Sequence, residues 1–143
     1  MAPTVLCNQD PAVRDLLIRI FLNTISNSNA VATDGTSQNQ AADWLIYQDT
    51  RFLCPENPTL KSRYALAVFY YSTRGDRWKE CSAPTSFNDT TAIEAANTAC
   101  TIQSFPDSGS DAWLTPGHEC QWGGVVCNAD GNVEIINIGT FLD

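Results

Sequence analysis

The side chains with the most chemistry in them lie close together. His118, the chain's one histidine, stands beside Glu119 and two positions before Cys120. A loop imidazole next to a carboxylate has the groups of a general base. Catalysis would need companions, and the sequence has no Gly-x-Ser-x-Gly elbow, no phosphate-cradling glycine loop and no His-x-x-x-His pair. His118 therefore reads as a surface loop residue, and the expectation is a protein that is not an enzyme, with no catalytic residue, cofactor or metal. Asn128-Ala-Asp130-Gly-Asn132 has some flavour of a Ca²⁺ loop. The closing glutamate of an EF-hand would fall at Gly139, however, so a turn is the better reading. Asp-Gly supplies the positive φ that a tight hairpin needs.

The six cysteines are Cys7, Cys54, Cys81, Cys100, Cys120 and Cys127. Zinc would call for Cys-x-x-Cys pairs or several histidines, and neither is present. An even number in a chain of this size fits three disulfides formed in an oxidising compartment. Spacing leaves the connectivity open; the local expectation is Cys120 with Cys127 and Cys81 with Cys100, leaving Cys7 for Cys54. Asn88-Asp89-Thr90 is a glycosylation sequon, whereas Asn57-Pro58-Thr59 is ruled out by its proline.

Several elements must position these groups. Asp10-Pro11 reads as a helix start, the carboxylate capping free amides and the proline filling a first-turn site where its missing N–H costs nothing. Val13, Leu16, Leu17, Ile20 and Phe21 follow at helical spacing, with Arg14, Asp15 and Arg19 opposite, which predicts an amphipathic helix of about four turns. Residues 28–38 have loop composition. A second helix over about residues 38–47 turns Ala41, Trp44 and Leu45 inward. A third follows from the Asn57 cap and Pro58 over residues 60–73, with Gly75 as terminator. Its apolar arc includes Leu66, Phe69 and Tyr70 beside Leu60, Tyr64, Ala67, Val68 and Tyr71, which implies burial on more than one side. Residues 91–98 suit a short helix, residues 103–111 a loop, and Trp113-Leu114 an apolar anchor. Residues 125–127 and 133–138 then read as two antiparallel strands.

At 143 residues the chain is one domain's worth, long enough to bury a core without a metal. Its net charge of −8 argues against nucleic acid as a partner. All the Lys and Arg precede residue 80, and only carboxylates follow, from Glu80 to Asp143. That acidic half keeps the protein soluble, or meets a basic partner or Ca²⁺. No stretch is apolar enough to span a membrane. The first residues, Met1 to Leu6, lack the pattern of a secretory leader, which conflicts with the cysteines. The cysteines take precedence, on the supposition that a presequence has been removed. The expected location is therefore extracellular, secreted or at the cell surface, with another oxidising lumen as the alternative.

Three stretches carry a resemblance: Tyr64-Ala-Leu-Ala-Val-Phe-Tyr-Tyr-Ser-Thr-Arg-Gly-Asp-Arg-Trp78, then Trp113-Leu114, then Cys120-Gln-Trp-Gly-Gly-Val-Val-Cys127 with its turn and Val133-Glu-Ile-Ile-Asn-Ile138. Over about residues 40–138 the chain resembles the N-terminal capping domain of plant-type leucine-rich repeat proteins, in the form common among diatom and related algal chains. That resemblance implies a disulfide between Cys120 and Cys127, Trp122 packed beneath a first repeat strand, and a polar-faced cap covering the end of a solenoid. It implies an α+β fold: a small bundle of about three or four helices (residues 10–100), then a disulfide-stapled hairpin (residues 113–138) that starts a leucine-rich-repeat-like ladder, all in one cap-like domain. The family continues into repeats where this sequence reads Gly-Thr-Phe-Leu-Asp143. The apolar strand of Val133, Ile135, Ile136 and Ile138 is then an edge expected to pair with another polypeptide, a second copy or further chain.

Overall fold

A computed structural model describes residues 7–102, 108–139 and 141. Most of the loop expected over residues 103–111, the first six residues, Thr140, Leu142 and Asp143 lie outside the described residues. The fold is α+β, with five α-helices and one small antiparallel sheet among the described residues. The chain divides into two compact units, Met1–Tyr71 and Ser72–Asp143. The division falls in the last turn of the third expected helix, and the short helix near residue 95 belongs with the hairpin.

In the first unit, α1 (Pro11–Ile25) starts where expected: the Asp10 carboxylate accepts from the amides of Ala12 and Val13, and Pro11 occupies the first turn. Its buried side is not the expected one. Arg14, Ile18 and Leu22 face the core, while Val13, Leu16, Leu17 and Ile20 are exposed by 48, 59, 38 and 52%. The reason lies at the end of the second expected helix. There α3 (Ser37–Asp43) widens into a π-helical turn, Trp44–Gln48, closed by Asp49 N–H donating to the Trp44 carbonyl. Helix ends leave carbonyls without intrahelical donors. Arg14 reaches across to supply them, donating to the carbonyls of Leu53 (2.9 Å), Ile46 (2.9 Å) and Leu45 (3.4 Å), with its guanidinium over the Phe52 ring. Burial lowers its pKa, opposed by the nearby charges of Asp49 and Asp15. Satisfying buried carbonyls with a cation outweighs turning the row of Val13, Leu16, Leu17 and Ile20 inward.

Residues 28–38 are not all loop. Asn27 caps a short helix, α2 (Ser28–Ala32), by accepting from Asn29 and Ala30, and Val31 is buried beneath it. Local polar composition hid an element that one buried valine and a side-chain cap suffice to hold. The helix α4 (Leu60–Ser72) buries Leu60, Arg63, Tyr64, Leu66, Ala67 and Tyr70, a wide arc as expected. Gly75 does not supply its left-handed stop: Arg74 does, at φ 57°, and Gly75 instead opens a 3₁₀ turn, Gly75–Arg77. Arg63 and Asp49 form a fully buried ion pair, Nε to Oδ2 at 2.6 Å and Nη2 to Oδ1 at 2.9 Å. The Cys7–Cys54 disulfide closes this unit.

The exposed row on α1 makes a first prediction. Leu16→Gln and Ile20→Gln are expected to change unfolding free energy by less than about 0.5 kcal/mol, the range of surface substitutions. Urea denaturation checks this, and losses of about 2 kcal/mol or more would mean the row is covered.

In the second unit the core is aromatic. Trp78 meets Trp113 edge-on (centroids 5.1 Å apart), Trp113 meets Trp122 at 5.6 Å, and Phe141 packs on Trp78 at 5.6 Å. Indole N–H groups need partners when buried: Trp113 Nε1 donates to the Gly123 carbonyl and Trp122 Nε1 to that of Thr115. The helix α5 (Thr90–Ala99) is capped by Asp89 and tied to this core by Asn97, whose Oδ1 accepts from Ala112 N–H. Disulfides Cys81–Cys100 and Cys120–Cys127 staple the unit.

Candidate functional site

The hairpin is built around two glycines. Gly123 packs against the Cys81–Cys100 bridge so closely that an added Cβ would stand 2.6 Å from Cys81 Sγ. Gly124 has φ 81°, and a Cβ there would lie 2.3 Å from the Asn137 carbonyl oxygen. The close approach lets Asn137 N–H donate to the Gly124 carbonyl at 2.8 Å and brings β1 (Val125–Cys127) against β2 (Val133–Ile136). The strands are antiparallel, with Val125 opposite Ile136, Val126 opposite Ile135 and Cys127 opposite Val133. Glu134 is left unopposed in a bulge. Asn128 holds the turn: its Oδ1 accepts from the amides of Asp130 and Asn132, and Gly131 takes φ 82°. The oxygen that might have served a cation is thus already used by the backbone.

The two sides of this sheet differ. Residues 108–111 bridge to β1 and to the residues leading into it, Ser108 to Val126, Gly109 to Gly123 and Asp111 to Trp122. Among the described residues no third strand lies beside β2. Ile135 and Ile136 are exposed by 45 and 39%, and Val133 is half-buried. Ile138 is different: it is buried, so of the four residues expected to form the edge it supports the hairpin from inside. The bulge and the Glu134 charge blunt the start of the edge, so the stretch able to accept a strand begins at Ile135.

His118 caps the 3₁₀ turn Glu119–Gln121, its Nδ1 accepting from Cys120 N–H at 3.1 Å and lying 3.5 Å from the buried Glu119 carboxylate. An Nδ1 that accepts puts the neutral ring's proton on Nε2. The geometry gives His118 a structural task, and the cysteines are all in disulfides. Asn88 is exposed just ahead of α5, its Oδ1 accepting from Ser86 Oγ.

Burial holds the Asp111 carboxyl above its ordinary value. The native state then keeps this proton to higher pH than the unfolded chain does, so stability falls as pH rises from the unperturbed 3.8 through the raised value. Asp111→Asn is expected to leave Tm unchanged in acid below that window and raise it at neutral pH. A Tm series against pH checks this, and a loss at neutral pH would show that the ionised carboxylate is stabilising.

One feature had no signal in residue spacing. In the first unit Gln40, Asp43, Tyr47, Gln48 and Tyr71 line an open groove of about 400 Å³. Helical periodicity assigns faces but does not reveal where a π turn opens a hollow beside a neighbouring helix. The Tyr71 hydroxyl is pushed well up by burial, with Tyr70 and Asp43 adding to the effect, so it stays a protonated donor.

No family model, no curated protein and no solved structure matches this chain.

Proposed function

We propose that the protein is a non-enzymatic interaction and scaffold module, the N-terminal cap of an extracellular leucine-rich repeat protein acting in recognition or adhesion, in which a further strand attaches along β2. The carrying observation is the exposed Ile135 and Ile136 on a strand whose other side is already paired. A strand laid there would gain ladder hydrogen bonds and cover both isoleucines. Three disulfides and an exposed Asn88 suit a secreted or cell-surface glycoprotein. Among the described residues no helix is long and apolar enough to cross a membrane.

A second reading has its own observation. Ile138 and Phe141 are tucked into the core of the second unit, and the Phe141 carbonyl accepts from Lys79 N–H at 2.8 Å. That anchorage holds the end of the hairpin within its own unit, which is in keeping with a small accessory subunit that keeps the cap and lodges in a larger assembly such as a surface filament or an organelle membrane complex. Intact mass of the protein from its source, with and without reduction, separates the two. Repeat-bearing chain beyond 15.6 kDa supports the cap. A 15.6 kDa species in fixed ratio with other subunits supports the accessory role. A lone monomer of that mass, with the same oligomeric state in an Ile135→Lys/Ile136→Lys variant, overturns both.

A further inference from the structure

The groove in the first unit is a built surface. Tyr47 is 64% exposed, yet its ring is not free to swing. Its hydroxyl donates to Asp15 Oδ2 at 2.7 Å and accepts from Arg19 Nη2 at 3.4 Å, and the Arg19 guanidinium sits over the ring at 5.8 Å from its centroid. Arg19 is itself held by Asp15 (2.7 Å) and Asp43 (3.4 Å). A large aromatic surface is thus fixed in water beside a hollow of about 400 Å³, within the roughly 300–1,000 Å³ usual for small-ligand sites. The π-helical turn Trp44–Gln48 puts Tyr47 and Gln48 on the groove wall together, and such turns recur at functional sites.

The lining selects a ligand class by elimination. An anion would meet the Asp43 carboxylate. A cation would meet the like charge of Arg19, which sits at Asp43 and over one face of the Tyr47 ring. An apolar chain would bury Gln40, Gln48 and Asp43 against groups that cannot hydrogen-bond, which is costly. A neutral polyol avoids all three problems. Gln48 offers an amide donor and a carbonyl acceptor, Asp43 accepts, and the protonated Tyr71 hydroxyl donates. Gln40 gives one amide N–H to the Gly35 carbonyl, and its oxygen can accept. A sugar ring brings hydroxyls that both donate and accept around its rim, and a face of C–H bonds that packs on an aromatic ring.

We propose that this groove is a carbohydrate-binding site, with a pyranose ring stacked on Tyr47 and its hydroxyls held by Gln48, Asp43 and Tyr71. The site lies in the first unit and β2 in the second, so it stands or falls separately from the strand-attachment reading.

Saturation-transfer NMR on the full, oxidised chain tests it, with cellopentaose, mannopentaose and chitopentaose as probes and tetramethylammonium as a cationic control. At least one oligosaccharide is expected to receive saturation and the ammonium ion none. Tyr47→Ala is expected to weaken the binding sugar about tenfold and Gln48→Ala by a smaller factor, while Ile135→Lys leaves it unchanged. Both groove substitutions are at exposed positions, and near-UV circular dichroism checks that each variant is folded. The proposal is overturned if none of the three sugars binds at millimolar concentration, if folded Tyr47→Ala binds as well as the parent, or if the ammonium ion binds in their place.

Discussion

Arg63→Ala is expected to cost about 3–5 kcal/mol of unfolding free energy, the range for breaking one half of a buried ion pair. Both partners are almost fully removed from water, Arg63 at 0% and Asp49 at 1% side-chain exposure, and the two contacts between them are bidentate. The guanidinium also lies 5.3 Å from the centre of the Trp44 ring. Truncating it leaves the Asp49 carboxylate buried without its bidentate partner, with Arg14 as the nearby charge, and opens a cavity where the guanidinium packed. The pair itself need not be strongly stabilising, because desolvating two charges nearly offsets their attraction. Arg63→Met combined with Asp49→Leu should therefore recover most of the loss. Urea denaturation of the two single variants and the double variant measures this. A cost below about 1 kcal/mol for Arg63→Ala would mean the pair behaves as a surface salt bridge.

Gly124→Ala should be strongly damaging to the second unit, at about 2–5 kcal/mol. This sums the cost of a left-handed conformation for an L-residue and that of overpacking. At φ 81° alanine is strained before any neighbour is considered. Its methyl group would also sit 2.3 Å from the Asn137 carbonyl oxygen, and a backbone atom in a ladder cannot swing aside as a long side chain can. Relief requires β2 to move off β1, so the variant should lose amide protection along Val133–Ile136 together with global stability. Hydrogen exchange and a thermal melt report the two effects. Protection in β2 that matches the parent would show that the hairpin absorbs a side chain there. Gly131→Ala is the contrast: its φ is also positive, at 82°, but a Cβ meets nothing within 4 Å, so only the conformational cost remains.

The first helix start was legible because its cause is local. Asp10 with Pro11 announces a helix through groups a few residues away, and the Asp10 carboxylate caps it; Asn57 instead folds a turn just ahead of α4, its Oδ1 accepting from Thr59 N–H, and the helix starts at Leu60 rather than at Pro58. The hairpin turn was legible for the same reason as the first helix, since Gly131 supplies the positive φ that the turn over residues 128–132 requires. The helix α2 was not, because its sequence is polar and its one inward anchor, Val31, is too little to register as a period. The stop of α4 was misassigned by one residue: a glycine is the usual left-handed terminator, but here Arg74 takes that conformation and Gly75 is buried in the next turn.

The facing of α1 shows where pattern reading fails. Val13, Leu16, Leu17 and Ile20 form a clean apolar row, and periodicity alone turns such a row inward. The helix is rotated because the opposite row carries Arg14, and Arg14 has carbonyls to satisfy some thirty residues ahead. Of the candidate edge, the sequence supplied the residues and the strand; that Ile138 is buried while Ile135 and Ile136 are exposed depends on how the chain passes Gly124 and returns to Phe141.

Taken alone, the order of residues determined the first helix with its Asp10 cap, the hairpin turn and the presence of enough cysteines for three bridges. Each follows from side chains acting on their own backbone or from composition. Tertiary structure decided which row of α1 is buried, which side of the small sheet stays open, and that a tyrosine is held rigid over a groove. These depend on hydrogen-bonding groups far apart in sequence finding one another, and a periodicity of a few residues holds no record of partners thirty positions away.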